Sequence, residues 1–371
     1  MGSRVMVRRV RYDVLRVLAA LTVLFYHFEC SAYDIFLTAG TRGFFLDFLG
    51  TGHNLGSIAV EVFLLLAGIL SVSTLSDSFS PRRYLSKRLM RLLVPFWISW
   101  LLVCAYTVIT SSDLLWKNPK LFPLTMIGID GWATVTFGLV DSFYLVGEWY
   151  LGVMVIITML WPLLRVPFRN NPYVTCFILF IFELLAIFVP AQQEALRPLS
   201  VLPWSNIFSF SLGVLIAKRR AEVSGSRWWL VGGATMVLTG MIAPGLLRAA
   251  DFENHLISVF RQMVGAGIIL IVDGINVKHI DFEPAFEGVL RRLSTVFIWL
   301  SGLSMYFFMF QHVVEAKMVS RAATLCPESF DSFDYWGLAI LTAVVTLLVS
   351  IAAEGLEEKI KSKCCSLEAP I

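Results

Sequence analysis

An arginine and a histidine stand eleven residues apart, at Arg16 and His27, in the first long apolar run of this 371-residue chain. At about 100° and 1.5 Å per residue, eleven helical steps return His27 to within roughly 20° of the face of Arg16, about 16 Å along the axis. Ionisable groups inside a membrane span are costly, so two on one face suggest a polar path through the protein. Each also has a plain structural use, a snorkelling arginine at one edge and a hydrogen-bonded histidine near the other. Asp13, three residues before Arg16, is placed to pair with it.

Four other stretches carry side chains that could do chemistry. Arg88 and Arg91 lie at i, i+3 just before the apolar run that contains Pro95. Both guanidinium groups then face one way, an arrangement suited to phosphate oxygens and also to ordinary topogenic charge. Glu61 sits inside an apolar helix that also carries Gly68, so it needs a partner or a proton, while the glycine permits close helix approach. Gly147-Glu148-Trp149-Tyr150-Leu151 opens a later span, and its aromatic pair reads as an interfacial anchor. A carboxylate at Glu148 could orient an imidazole and leave its second nitrogen as a base. Ser304, Gln311 and His312 occupy a late aromatic helix, with Ser304 and Gln311 seven residues apart on one face. His312 by itself reads first as a packing residue.

The elements that must position these groups follow from composition. The chain is 57% hydrophobic and 15% charged, with mean hydropathy +0.74, where soluble domains run near 45–50% apolar and about 25% charged. Its apolar runs of about 17–22 residues are each long enough to cross hydrocarbon as a helix. The expected spans are about 12–31, 56–75, 92–110, 147–165, 173–190, 204–217, 228–247, 256–272, 296–315 and 335–354. The first is read as a retained span, because Arg16 interrupts it and no small-residue cleavage site follows.

Charge sets the topology. With ten spans and the N-terminus inside, the inner segments hold 21 of the 30 basic residues. Clusters at Arg8-Arg9, Arg82-Arg83, Lys87-Arg88, Lys218-Arg219-Arg220 and Arg291-Arg292 are among them. An eleventh span at 121–140, a region broken by Pro123, Gly128, Asp130, Gly131 and Gly138, would move most of those residues outside. The expected fold is therefore an all-α integral membrane protein of about ten transmembrane helices in one bundle. Residues 1–371 form one domain, with both termini cytoplasmic and short tails at 1–11 and 355–371. Residues 111–146 become a long outer segment, part of it re-entrant or interfacial. Residues 273–295 read as an amphipathic inner surface helix. The six cysteines show neither metal-ligand spacing nor a disulfide framework, so no metal site is expected. Nothing in the charge pattern calls for a nucleic-acid partner; the expected surroundings are a lipid bilayer.

The order of these stretches resembles the membrane-bound acyltransferase-3 family. Its members carry Leu-Arg-(ten residues)-His in the first helix, matched by Leu15, Arg16 and His27. They continue with a Gly-Val-(acidic)-Phe-Phe…Ser-Gly-Phe helix, here Glu61-Val62-Phe63…Ala67-Gly68-Ile69. An Arg-x-x-Arg…Pro motif follows at Arg88, Arg91 and Pro95, then Trp149-Tyr150-Leu151, then a late Ser-Tyr-x-x-Tyr-Leu-x-His helix at Ser304-Met305-Tyr306…His312. The likeness spans about residues 10–350. Ala67 stands where serine is usual and Met305 where tyrosine is usual. Many relatives carry an additional esterase-like extracytoplasmic domain; this chain is expected to work alone or with a separate partner.

The resemblance implies transfer of an acyl group, commonly acetyl, from cytoplasmic acyl-coenzyme A to a hydroxyl of a carbohydrate or glycolipid. The setting would be a multi-pass protein of the plasma (inner) membrane acting on the cell envelope. On that reading His27 is the general base, with Glu148, then Glu61, then Glu29 as the orienting carboxylate. Arg88 and Arg91 hold the phosphates of acetyl-coenzyme A or another acyl-coenzyme A, and Arg16 lines the donor's route. The competing class is a transporter or flippase for a glycan or lipid-linked sugar, with Glu61, Arg261, His27 and His312 as an intramembrane path.

Overall fold

The computed structural model describes residues 2–36, 43–110, 117–147, 149–188, 203–223, 227–247, 253–275, 284–325 and 332–367. Among these the regular structure is helical throughout: α1 (Gly2–Phe36), α2 (Leu55–Ser71), α3 (Pro81–Thr110), α4 (Phe122–Met126), α5 (Asp130–Phe137), α6 (Trp149–Asn170), α7 (Pro172–Phe188), α8 (Pro203–Val223), α9 (Arg227–Leu247), α10 (Glu253–Gly274), α11 (Pro284–Leu325) and α12 (Ser332–Leu367). The protein is an all-α membrane protein. Among the described residues, eight helices are long and apolar enough to cross a bilayer. The other two expected spans fall on α7, whose apolar stretch Pro172–Ile187 is shorter, and on α8. Ser205, Asn206, Ser209 and Ser211 give α8 four buried polar residues, and Lys218, Arg219 and Arg220 end its apolar run.

Two expectations meet the backbone directly. The 121–140 region contains α4 and α5, of 5 and 8 residues, neither able to span hydrocarbon. The amphipathic helix expected over 273–295 is not a separate element in its described part. Residues 284–295 belong to the first three turns of α11, which runs on without interruption into the apolar stretch. Amphipathic periodicity marks a half-exposed face but does not mark where a helix stops.

The chain divides into two compact units. Unit 1 comprises Met1–Tyr26, Arg42–Pro81 and Met159–Ser301, and unit 2 comprises His27–Thr41, Arg82–Thr158 and Gly302–Ile371. Three of the dividing points fall well inside helices, so α1, α6 and α11 each contribute to both units, and another falls after the first residue of α3.

Unit 1 is built on close helix contact. A Cβ placed on Gly68 of α2 would lie 1.9 Å from the Phe210 carbonyl oxygen of α8, and one on Gly213 of α8 would lie 2.2 Å from the Leu65 carbonyl oxygen. Each glycine lets the other helix's backbone reach van der Waals distance, the device that substitutes for hydrophobic force between helices in lipid. Gly233 of α9 and Gly267 of α10 repeat it, each facing the other's carbonyl oxygen. Fully buried Trp161 of α6 packs on Phe168 and Phe210, and its Nε1 donates to Thr74 Oγ1 at 2.7 Å. One carboxylate ties three helices. Asp273 of α10, its side chain 1% exposed, accepts from Tyr12 Oη of α1 at 3.0 and 3.1 Å and pairs with Arg220 of α8. The Arg220 guanidinium also lies over the Tyr12 ring, and Arg11 donates to the Val272 carbonyl at 3.0 Å.

In unit 2, two tryptophans of α3 hold the segment that carries α4 and α5. Trp97 Nε1 donates to Met126 O and Trp100 Nε1 to Phe143 O, each at 3.0 Å. Buried Asp130 closes the turn between the short helices by accepting from Thr125 Oγ1 and the Gly131 amide, each at 2.9 Å. Burial raises its pKa above the usual carboxylate range, a shift these hydrogen bonds partly oppose. Gly147, at φ +75°, turns the chain so that its amide donates to Met309 O of α11 at 3.2 Å.

Two substitutions test this framework in detergent-solubilised protein. Gly68→Val forces a branched side chain into the Phe210 carbonyl and should cost roughly 1–3 kcal/mol or more, lowering the thermal midpoint, whereas Gly302→Ala, with nothing near its Cβ position, should leave it in place. Asp273→Ala strands Arg220 and should cost about 3–5 kcal/mol; an unchanged midpoint would remove this carboxylate from the framework.

Candidate active site

In unit 2 the imidazoles of His27 on α1 and His312 on α11 pack against each other, with ring centroids 4.1 Å apart and planes inclined at 59°. The contact continues one turn further along both helices. Ser31, four residues after His27, donates to the carboxylate of Glu315, three residues after His312. These spacings put each pair on one helical face. Glu315 is 1% exposed and Gln311 fully buried, so this side of α11 is polar within an otherwise apolar packing. Tyr306, Phe307, Phe308, Met309 and Phe310 supply the apolar part.

The neighbouring elements fix α11. The Gly147 amide caps the Met309 carbonyl, and the Tyr150 ring meets Phe308 edge-on at 5.5 Å. The Trp149-Tyr150-Leu151 stretch is thus a packing partner of the histidine helix, with Leu151 buried. On the other side of that helix's course, Tyr306 Oη donates to Glu357 Oε2 of α12 at 2.7 Å. Glu29, third in the ranking of orienting carboxylates, is 3% exposed and hydrogen-bonded with Tyr335 of α12. Phe28 meets the same Tyr335 ring at 5.3 Å.

Arg16 belongs to unit 1. Its Nη1 donates to Ser301 Oγ of α11 at 2.7 Å and lies 3.4 Å from Asp13 Oδ1, while Ser301 Oγ donates to that same Asp13 oxygen at 2.7 Å. The Asp13 pairing follows from i, i+3 spacing; Ser301 does not, being 285 residues away in sequence. Glu61 also belongs to unit 1. There Ser209 of α8 stands beside it, and Arg261 of α10 and Glu183 of α7 act on it electrostatically. Arg88 and Arg91 occupy one turn of α3 in unit 2, Arg88 half-buried and Arg91 exposed, in a helix that passes through Pro95 as one element. Glu148 lies outside the described residues.

The structure therefore brings His27 and His312 together, and Arg16 with Asp13, and it houses Glu61 among α7, α8 and α10. Sequence reading gave His312 a packing role and passed over Glu315 and Ser301. One signal pointed at two of the three: Gln311, His312 and Glu315 are the only side chains in the run from Phe307 to Glu315 able to donate or accept strong hydrogen bonds. Chemically, adjacent imidazoles provide a base and a second ring to receive or return its proton. Among the described residues no group of three or more His, Cys, Asp or Glu is placed to hold a metal ion.

No curated protein and no solved structure matches the chain. The family model for the acyltransferase domain of the acyltransferase-3 type matches residues 9–355. That range takes in the α1 histidine, the α3 arginines, the Trp-Tyr-Leu stretch and the His312 helix, and this multi-pass membrane protein belongs to the acyltransferase-3 family.

Proposed function

We propose that the protein is an O-acyltransferase of the plasma membrane. It moves an acetyl group from cytoplasmic acetyl-coenzyme A to a hydroxyl of a cell-envelope or exported glycan. The observation that carries this reading is the His27–His312 contact, 4.1 Å between ring centroids on two apolar helices, within a chain of acyltransferase family membership. In the proposed reaction His27 takes the proton of the acceptor hydroxyl as its oxygen attacks the thioester carbonyl. The C–S bond breaks, and the coenzyme A thiolate leaves and is protonated. His312 packs against His27 and receives or returns the proton. Glu315, on the His312 face and bonded to Ser31, keeps the two helices in register. Glu148, the first choice for the orienting carboxylate, lies outside the described residues and keeps that proposed role, while Glu61 has the α7–α8–α10 surroundings described above.

Arg88 and Arg91 are proposed to hold the coenzyme A phosphates. They project from one turn of α3, and Arg forks match phosphate oxygens in both charge and shape. Arg16, held by Asp13 and Ser301 within unit 1, keeps the separate proposed role of lining the donor's route.

Two measurements test the proposal on purified protein. His27→Ala should lower transfer of radiolabelled acetyl groups by about 10²–10⁴-fold while saturable acetyl-coenzyme A binding persists, and His312→Ala should lower transfer less. Near-normal transfer by His27→Ala would sink the mechanism. Arg88→Ala and Arg91→Ala should each weaken acetyl-coenzyme A binding by at least about tenfold, the effect of removing a charged hydrogen bond. Unchanged affinity would reduce the pair to topogenic charge.

A further inference from the structure

Unit 1 holds a second buried polar cluster, which the transfer reaction does not use. Glu183 of α7, 1% exposed, accepts at Oε1 from Ser205 Oγ of α8 at 2.9 Å and from Gln262 Nε2 of α10 at 2.8 Å. Gln262 Nε2 also reaches the Ser205 carbonyl at 3.2 Å. Glu61 of α2 is within electrostatic reach of Glu183 and of Arg261, one residue before Gln262. Tyr26 of α1 acts on Arg261. The ionisable groups that face the cluster are therefore Glu61, Glu183, Arg261 and Tyr26. The α8 face contributes only hydroxyl and amide groups, and α9 has no ionisable residue from Trp228 to Leu247.

Two features of this cluster call for a ligand. The first is charge. With both carboxylates ionised, two of them against one guanidinium leave a single negative charge among apolar helices, where an uncompensated charge is costly. The second is unmet acceptor capacity. Glu61 Oε2, Glu183 Oε2 and Gln262 Oε1 are buried without a hydrogen-bond partner, three acceptors against one unpartnered donor, Arg261 Nε, and Ser258 of α10 bears on Glu183. Gln262 is 2% exposed and its amide nitrogen donates to Glu183, so its unpartnered oxygen is out of reach of solvent. Buried acceptors in native folds are met by a donor or a cation.

We infer that the Glu61–Glu183–Gln262 cluster is an intramembrane site for one monovalent cation, a proton or a sodium ion. One positive charge restores neutrality, and a divalent ion would overshoot it. Hard oxygen donors from carboxylate, amide and hydroxyl groups are the ligands that small hard cations take. A proton would sit on a carboxylate and donate to one of the unpartnered oxygens. A sodium ion would be shared among them. The site is independent of whether the protein transfers acetyl groups, because its test is read on stability alone.

The test follows thermal unfolding of the purified full chain in detergent. Sodium chloride is titrated against choline chloride at constant ionic strength at pH 8, and pH is varied from 9 to 6 in choline chloride. If sodium is the ligand, the wild-type midpoint rises by about 2–4 °C as sodium saturates the site. If the proton is the ligand, sodium does nothing and the midpoint rises by a similar amount as pH falls, because the folded state holds the proton and the unfolded chain does not. In either case Glu183→Gln, which removes the charge and keeps an acceptor for Ser205, flattens the response. Should that variant not fold, Glu61→Gln removes the same charge and replaces it. A wild type that responds to neither cation, or a variant that responds as the wild type does, overturns the site.

Discussion

The carboxylate of Asp273 is the interaction on which unit 1 depends. It receives the Tyr12 hydroxyl from α1 and the Arg220 guanidinium from α8, while it is carried by α10. A buried carboxylate in this position cannot be left half-paired, since removing either donor would leave a charge without compensation. The register of α1 is set here, and Arg16 sits one helical turn beyond Tyr12, in its own bond with Ser301.

Glycine supplies what charge pairing does not. The α2–α8 and α9–α10 contacts run backbone to backbone, through Gly68 with Gly213 and through Gly233 with Gly267. In lipid, association of apolar faces brings little gain from expelling water, so close packing and buried polar bonds carry the load. The same economy explains α8. Its serines and asparagine would weaken a soluble core. Here Ser205 finds Glu183 and Gln262, while Ser209 and Ser211 bond to carbonyls one turn earlier in their own helix.

Among the described residues, several polar groups singled out in apolar helices have polar neighbours, though not always the expected ones. Glu61 faces Ser209 and the charges of Glu183 and Arg261, and Glu29 is bonded to Tyr335. The Asp13–Arg16 pair was legible because it is local, three residues apart on one helix. Ser301, Glu315 and the closeness of His312 to His27 were not legible, because each depends on which turns of two helices hundreds of residues apart lie side by side. A single sequence carries no signal for that register.

The all-helical class, the long apolar spans and the failure of 121–140 to span were determined by the sequence itself, because hydrocarbon thickness and the cost of bare backbone leave an apolar chain few options. The family was determined there too, by motifs whose order survives substitutions such as Ala67 and Met305. Tertiary structure decided the partners. It put His312 on His27, tied Asp273 to two other helices, and gathered Glu61, Glu183, Arg261 and Gln262 into one buried group. The physical reason is that periodicity places a side chain on a face of its own helix, whereas partner choice follows from packing that brings distant turns together.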